Sequence, residues 1–453
     1  MKPNAEIWKD GLRIGAKTHV GMVRGNNQDN LLVSTAASRN EWTEKGHLFI
    51  VADGMGAHAA GELASKIAVD RIPLAYRKRS DLPPHEALLT AIEAGHTAIY
   101  ERGQGSEEFR GMGTTVSSLV LLPHAALIGH VGDSRIYRIR SGRIEQLSRD
   151  HSLAWEIAAA AGPAGEEGSA AVPKNIITRS MGPHDEVEID LEGPFPIELG
   201  DTFVLCSDGL SGSLRDEEIA LLVTELPPEE ATAALVGLAL IRGAPDNTTV
   251  IVATAGPEEV SRYSRRDAAW PLEDDGGSAA ARNRPWIFLG IAATCLFIAL
   301  LINPSSDLVK DGSPLIQSLS QIGSLACVGL ALGCLAGSFF GFMMPPAKRV
   351  RAVAPGKQLG KGPYRSYDAT PNSEQFAGIL NSLEAAAGEI GPAGQAAADR
   401  LRAVTSRCRE LVAAADFPAA TRQAAEGFAI FTTFIESGRG EDTVAESTSS
   451  EAS

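Results

Sequence analysis

The sequence predicts an α+β fold of packed sheet and helix layers over residues 1–255, followed by a transmembrane helical hairpin and a small α-helical C-terminal region. Three observations carry this reading. HLFIVAD (47–53), ALIGHVGD (126–133) and TFVLCSD (202–208) are apolar runs that each end in an acid. Each reads as a buried strand followed by a turn. Helical stretches lie between them without strict strand–helix alternation, which favours α+β layers over a doubly wound sheet. Finally, 286–302 and 322–344 are apolar and free of charge, close to the roughly 20 residues that span a bilayer.

A fourth strand, TTVIVAT (248–254), has its acid in front of it, at Asp246. One helix begins after Pro83 and Pro84, with Leu88, Ile92 and Ile99 on one face. Another ends before Gly243, with Leu235, Leu238 and Ile241 aligned. At 453 residues the chain is too long for one ordinary core. A net charge of -15 and a pI near 5.2 argue against nucleic acid as a partner, since that role needs clustered Lys and Arg. The five cysteines lack zinc spacing or a disulfide pattern. Cys206 lies inside an apolar strand and reads as core. The N-terminal stretch is polar, without the apolar centre of a signal peptide.

Composition changes at 256–285, a linker. Arg282 and Arg284 precede the first apolar segment, and Lys348, Arg349 and Arg351 follow the second. The loop 303–321, with Asp307, Lys310 and Asp311, has no basic excess. By the positive-inside rule both flanks are cytoplasmic, in a two-pass protein of the cytoplasmic (inner) membrane. The competing reading is a buried core hairpin of a soluble protein. Gly329, Gly333, Gly337 and Gly341 would line one helix face. That face packs either against the first segment or against a second copy in a homo-oligomer. A basic juxtamembrane linker (345–371) leads to a helical region (372–437). There Ser373 caps a helix bearing Phe376, Leu380 and Leu383, and Leu401, Val404, Cys408 and Leu411 form a stripe. A last helix starts at Asp416 and Pro418, with Phe428, Phe431 and Phe434 beyond. The acidic tail 438–453 reads as disordered.

Acids at several strand ends are either independent turns or a site for a divalent cation. Crowded carboxylates do not all stay ionised without one, and oxygen donors suit Mg²⁺ or Mn²⁺. The ordered strings carry more. GMVRGNNQDN (21–30), ADGMGAHAAGELAS (52–65), GMGTTV (111–116), HVGDSRIYRI (130–139), DHSL (150–153), NIITRSMG (175–182), CSDGLSG (206–212) and PDNTTVIV (245–252) are similar to those of bacterial protein phosphatase 2C-like, PPM-type enzymes. The resemblance spans 14–255.

The resemblance implies a four-layer α-β-β-α sandwich with two to three Mn²⁺ or Mg²⁺ ions at one end. Asp53 would bridge two metals, and the Gly54 carbonyl would bind one of them. Asp208 and Asp246 would complete the first metal's coordination, and Asp29 would hold metal-bound water. Asp133 with Asp208 would take an extra metal, and Arg24 would clamp the substrate phosphate. Arg24, Asp53, Asp208 and Asp246 are thus the implied catalytic set. The implied reaction is hydrolysis of phosphoserine and phosphothreonine in proteins by a metal-activated water, opposing Ser/Thr kinases at the membrane. The competing reading is a silent phosphatase fold that binds phosphoproteins there. Three positions depart from the family pattern or bear on proton transfer. Gln28 stands where Glu is common, Ala57 replaces a glycine, and Met55 occupies a position where some relatives carry a histidine acid. His58 and His151 read as structural. The stretch 151–175 corresponds to the family's variable flap, which is expected to gate substrate or the extra metal.

Overall fold

The structure is a computed structural model that describes residues 12–57, 59–123, 125–161, 176–198, 200–256, 284–303, 313–343 and 358–450. The predicted apolar runs form the centres of two antiparallel sheets. The first sheet has the order β1 (Leu12–His19), β11 (Thr248–Ala255), β10 (Thr202–Cys206), β7 (Arg135–Arg140), β8 (Arg143–Gln146) and β12 (Arg365–Asp368). The second runs β2 (Asp29–Ser34), β3 (His47–Met55), β5 (Val116–Leu121), β6 (Ala125–Val131) and β9 (Asp190–Pro196), with β4 (Gly113–Thr114) beside the end of β3.

β3 is apolar on both faces because both are covered. Phe49 and Val51 join Leu119, Ile128, Phe203, Leu205 and Ile251 in the core between the sheets. Leu48, Ile50 and Ala52 are buried on the other face. Helices α2 (Ala60–Lys78) and α3 (Pro84–Gln104) form the outer layer on that side, with Leu88, Ile92 and Ile99 fully buried as their spacing predicts. On the first sheet, α6 (Asp216–Glu225) and α7 (Pro228–Ile241) form the opposite outer layer. The four-layer expectation holds. Shorter helices are α1 (Arg39–Lys45), α4 (Leu153–Ala161) and α5 (Asp208–Ser211).

The C-terminal region differs from expectation. Residues Met1–Trp270 and Pro355–Ser453 form one compact unit, and Pro271–Ala354 another. Helices α10 (Ser373–Glu389), α11 (Gln395–Ala413) and α12 (Phe417–Ser450) are not a separate bundle. Phe376, Leu383, Leu401 and Phe428 share one core with Leu222, Leu235 and Leu240 of α6 and α7. Buried Glu218 of α6 pairs with Arg242 at 2.7 Å, and Arg242 Nε donates to Ser382 of α10 at 3.1 Å. The basic linker 345–371 is likewise no plain linker, because its last residues form β12. Asn372 rather than Ser373 caps α10, accepting the Glu374 and Gln375 amides. Helix α12 continues to Ser450, where the sequence predicted disorder. The Glu and Ala residues of that tail are good helix formers, which counters its polarity.

The second unit contains α8 (Arg284–Leu301) and α9 (Pro314–Met343), packed on each other. Ser324 Oγ donates to the Ala299 carbonyl at 3.2 Å. A Cβ on Gly323 would meet Ile302 at 3.1 Å, whereas Gly329 has open space around it. Of the described glycines of α9, Gly323 is the one in close approach. The side chains at 333, 337 and 341 lie outside the described set. Helix α9 begins at Pro314, ahead of the expected 322. Proline suits a first helical turn, and Ser318 Oγ returns to the Pro314 carbonyl at 2.9 Å. Among the described residues, Pro314–Leu332 is long and apolar enough to cross a membrane, with mean hydropathy 1.6, and Ile291–Leu301 is a shorter apolar helix. The linker 256–285 lies almost wholly outside the described residues, as does 304–312 of the loop, whose remainder from Pro314 belongs to α9.

Candidate active site at the converging strand ends

The antiparallel register sets the site. Asp29 at the start of β2 stands opposite Asp53 near the end of β3. Like charges directly opposite on neighbouring strands repel. Asp208 follows β10 and Asp246 precedes β11, the adjacent strand, while Asp133 follows β6. The fold gathers all five acids at one end of the sandwich, within electrostatic range of one another.

Burial makes that crowding severe. Both carboxylate oxygens of Asp29, Oδ1 of Asp133 and Oδ1 of Asp208 are buried without a hydrogen-bond partner. The Thr249 and Ser207 hydroxyls favour the ionised form of Asp29, but by less than burial disfavours it. Burial, then Asp208 and Asp246, push the Asp29 carboxyl up to about 7. Burial, then Asp208 and Asp150, push Asp133 up to about 8. Asp53 is raised by burial and by Asp29, Asp208 and Asp133, and Asp208 by burial and Asp246. Among the described residues, no three acids close into a ready cage about one point. Orphaned, buried oxygen donors of this kind fit a hard divalent cation.

Backbone contacts hold these acids in place. Thr115 Oγ1 accepts the Asp53 amide at 3.0 Å, and the Asp53 carbonyl takes Thr114 Oγ1 at 2.9 Å and the Thr115 amide at 2.8 Å. A Cβ on Gly54 would lie 2.5 Å from the Gln28 carbonyl, so only glycine fits. The Gly54 amide donates to that carbonyl at 3.2 Å. The Gln28 side chain, where the family commonly has Glu, donates to the Gly56 carbonyl at 3.3 Å. A Cβ on Gly209 would sit 2.0 Å from the Asn247 carbonyl, which lets β10 and β11 bring Asp208 and Asp246 together.

Asn247 was not singled out from the sequence and proves to be an organiser. Its Nδ2 donates to the Val20 and Asn26 carbonyls at 2.9 and 3.0 Å, and its Oδ1 accepts the Gln28 amide at 2.8 Å. It thereby ties the Arg24 loop to β11. The signal lay in PDNTTV, as that for Thr114 and Thr115 lay in GMGTTV. Arg24 is at the rim, about half exposed, with Nη2 2.7 Å from Asp246 Oδ2.

His130 and His151 are structural. His130 is fully buried and held by Ser117 Oγ and the Gly132 and Arg149 carbonyls, and burial takes its pKa down to about 3. His151 Nδ1 accepts the Gly132 amide at 3.0 Å, so Nε2 carries the proton toward Asp190 Oδ2, 3.0 Å away. Cys206 is core, its thiol pushed up to about 12 by burial. His58 and most of the flap, 162–175, lie outside the described residues.

The protein phosphatase 2C family model matches residues 24–228. The chain is 37% identical over 252 residues to protein phosphatase PhpP of Streptococcus pneumoniae, covering 55% of this chain and 99% of that protein. It is 34% identical over 248 residues to the serine/threonine protein phosphatase PstP of Mycobacterium tuberculosis, covering 53% of this chain and 45% of that protein. A crystal structure of the Mycobacterium tuberculosis phosphatase PstP aligns with a TM-score of 0.48 at 32% identity, over 54% of this chain and 99% of that one. The family model and the curated relatives define a protein serine/threonine phosphatase. The chain belongs to the protein phosphatase 2C family.

Proposed function

We propose that this phosphatase uses two Mn²⁺ or Mg²⁺ ions, with a third at Asp133 and Asp208, to dephosphorylate targets of Ser/Thr kinases at the inner face of a bacterial cytoplasmic membrane. One observation carries the metal assignment: four carboxylate oxygens on Asp29, Asp133 and Asp208 are buried and unpaired where the strand ends converge. Asp53, the Gly54 carbonyl, Asp208 and Asp246 would hold the first two ions, with Asp29 behind them. Bound cations of this type acidify water and neutralise the charge of an in-line phosphoryl displacement. The protein's own part is positional. Thr114, Thr115 and Asn247 fix the backbone on either side of the acids. Arg24 offers a planar fork at the rim, where a phosphate dianion competes with Asp246 for it. His130 and His151 are committed to backbone and to Asp190 and do not serve as the proton donor.

The membrane reading is supported by connectivity. The segments before and after the apolar helices belong to one compact unit, so both lie on the same side of any bilayer. If α9 crosses, α8 crosses too, and the pair is a two-pass hairpin; Arg282, Arg284, Lys348, Arg349 and Arg351 on its flanks favour the cytoplasmic side. Leu296, Phe297, Leu300, Leu319, Ile322 and Leu325 are exposed along these helices, as lipid-facing residues are. Gly329, the described member of the glycine face, has open space around it in which a second copy would fit.

The test is phosphate release from a phosphothreonine peptide by the whole chain in detergent, with Mn²⁺, Mg²⁺ or EDTA and with Asp208→Asn as control. Release that needs the cation and vanishes in the variant is expected. A folded chain inert with either cation would overturn the metal assignment.

A further inference from the structure

The segment 358–368 is a strap that ties both sheets together beside the active site. At its start, Leu359 pairs with Gly193 of β9, its amide 2.6 Å from the Gly193 carbonyl and its carbonyl 3.2 Å from the Gly193 amide. At its end, β12 adds to the edge of β8. Between these points the buried carboxylate of Glu192 accepts the Lys361 and Gly362 amides, both at 3.0 Å, and the Tyr364 hydroxyl at 2.5 Å. A buried carboxylate with this many donors is a firm anchor.

Three routes lead from the strap to one short stretch, 150–155. The first runs along β9. Asp190 stands two positions before Glu192, on the same strand face, and accepts His151 Nε2 at 3.0 Å. The second is direct. Trp155 of α4 meets the Tyr364 ring edge-on, 6.3 Å between centroids, and the Arg365 guanidinium lies 4.2 Å from the centre of its indole ring. The third passes through Gln146, whose carbonyl accepts the Tyr364 amide at 2.8 Å and whose side chain donates to Asp150 at 2.7 Å. His151 sits at the centre of this stretch. Its ring accepts the Gly132 amide at 3.0 Å and its own amide donates to the Gly132 carbonyl at 2.7 Å. Gly132 immediately precedes Asp133.

We propose that the strap is a positioning element of the active site, in which Tyr364 and Arg365 hold β9 and α4, and these hold His151 and the Gly132–Asp133 turn. Tyr364 and Arg365 are positioning residues, not catalytic ones. The inference rests on the metal-dependent reading only in what Asp133 does there. A phosphatase domain ending near residue 256 lacks this support, so the strap makes the acid at Asp133 depend on chain that follows the apolar helices.

The experiment compares the whole chain in detergent with Tyr364→Phe, Arg365→Ala and the double variant, taking Arg143→Ala as control. Arg143 touches the strap at Ser366 but not 150–155. Hydrogen exchange is read over 130–134, 150–157 and 47–53. In the double variant the first two peptides should exchange roughly 10-fold faster, with 47–53 unchanged. In parallel, the Mn²⁺ concentration giving half-maximal phosphate release should rise several-fold, about 3 to 10 times, with kcat restored at saturating Mn²⁺. Unchanged exchange at 130–134 and 150–157 in the folded double variant overturns the proposal. If the double variant does not fold, Tyr364→Phe, which removes one hydroxyl, carries the same exchange test. Absence of phosphate release from the wild-type chain counts against the metal reading alone, because the exchange arm needs no activity.

Discussion

Asp29 and Asp133 hold protons in the folded chain that they lose in the unfolded one. Their carboxyls titrate near 7 and 8 when folded, against 3.8 for an ordinary aspartate. Between pH 4 and 8, roughly, the folded state therefore binds more protons than the unfolded state, and stability falls as pH rises, by about 1.4 kcal/mol per pH unit for each carboxyl inside its window. The EDTA-treated chain is expected to lose denaturation midpoint steadily across that range, and added Mn²⁺ to restore it. A midpoint flat from pH 5 to 8 in EDTA would mean that these carboxylates are not crowded as described. Asp208→Asn separates stability from function at the same place. It removes a charge from the cluster, so the metal-free variant should melt at or above the wild-type temperature while losing at least about 100-fold in phosphate release. A variant that simply unfolds contradicts this account.

Helix α7 shows which elements can be read locally and which cannot. Leu235 and Leu238 are buried toward the core as their spacing predicts, but Val236 and Leu240 are buried as well. The helix is apolar all round because α10 and α12 cover its outer face, and an all-round apolar helix is itself a sign of burial on every side. That signal stood in LVGLALI. The strand ends were legible because each apolar run and its acid are local in the sequence. The facing of Asp29 and Asp53 was not, since it depends on pairing between distant strands. The strap was invisible for a different reason. RSYD is short and polar, and the strap docks chiefly through backbone amides of a Gly-Lys-Gly-Pro stretch that composition assigns to a loop. The shared core gives an element-scale prediction. Phe428 is fully buried against α7, so Phe428→Ala should cost about 3–5 kcal/mol. Chemical denaturation should show one earlier transition for the whole catalytic unit. A separate early transition, with catalytic-domain unfolding unchanged, would show that the C-terminal helices are an independent module.

At the scale of the whole molecule, connectivity limits how the chain meets a bilayer. The catalytic sheets need the strap on the edges of β8 and β9, and α6 and α7 need α10 and α12. An odd number of crossings between them would put those partners on opposite sides of the membrane and leave Phe376 and Phe428 without their core. Only zero or two crossings keep the unit whole. Removing α8 alone is therefore more harmful than removing both α8 and α9. With 284–343 replaced by a flexible polar linker, the chain should be soluble, unfold cooperatively and release phosphate in the presence of cation. With only 284–303 deleted, an α9 that crosses as proposed is left as a single span. A C-terminal tag should then be reached by protease from outside intact spheroplasts, and phosphate release should fall to background in isolated membranes. In the unaltered chain the same tag should be protected. A tag that stays protected in the α8 deletion, with activity intact, would mean that α9 does not span the membrane and that the hairpin is an apolar element of another kind.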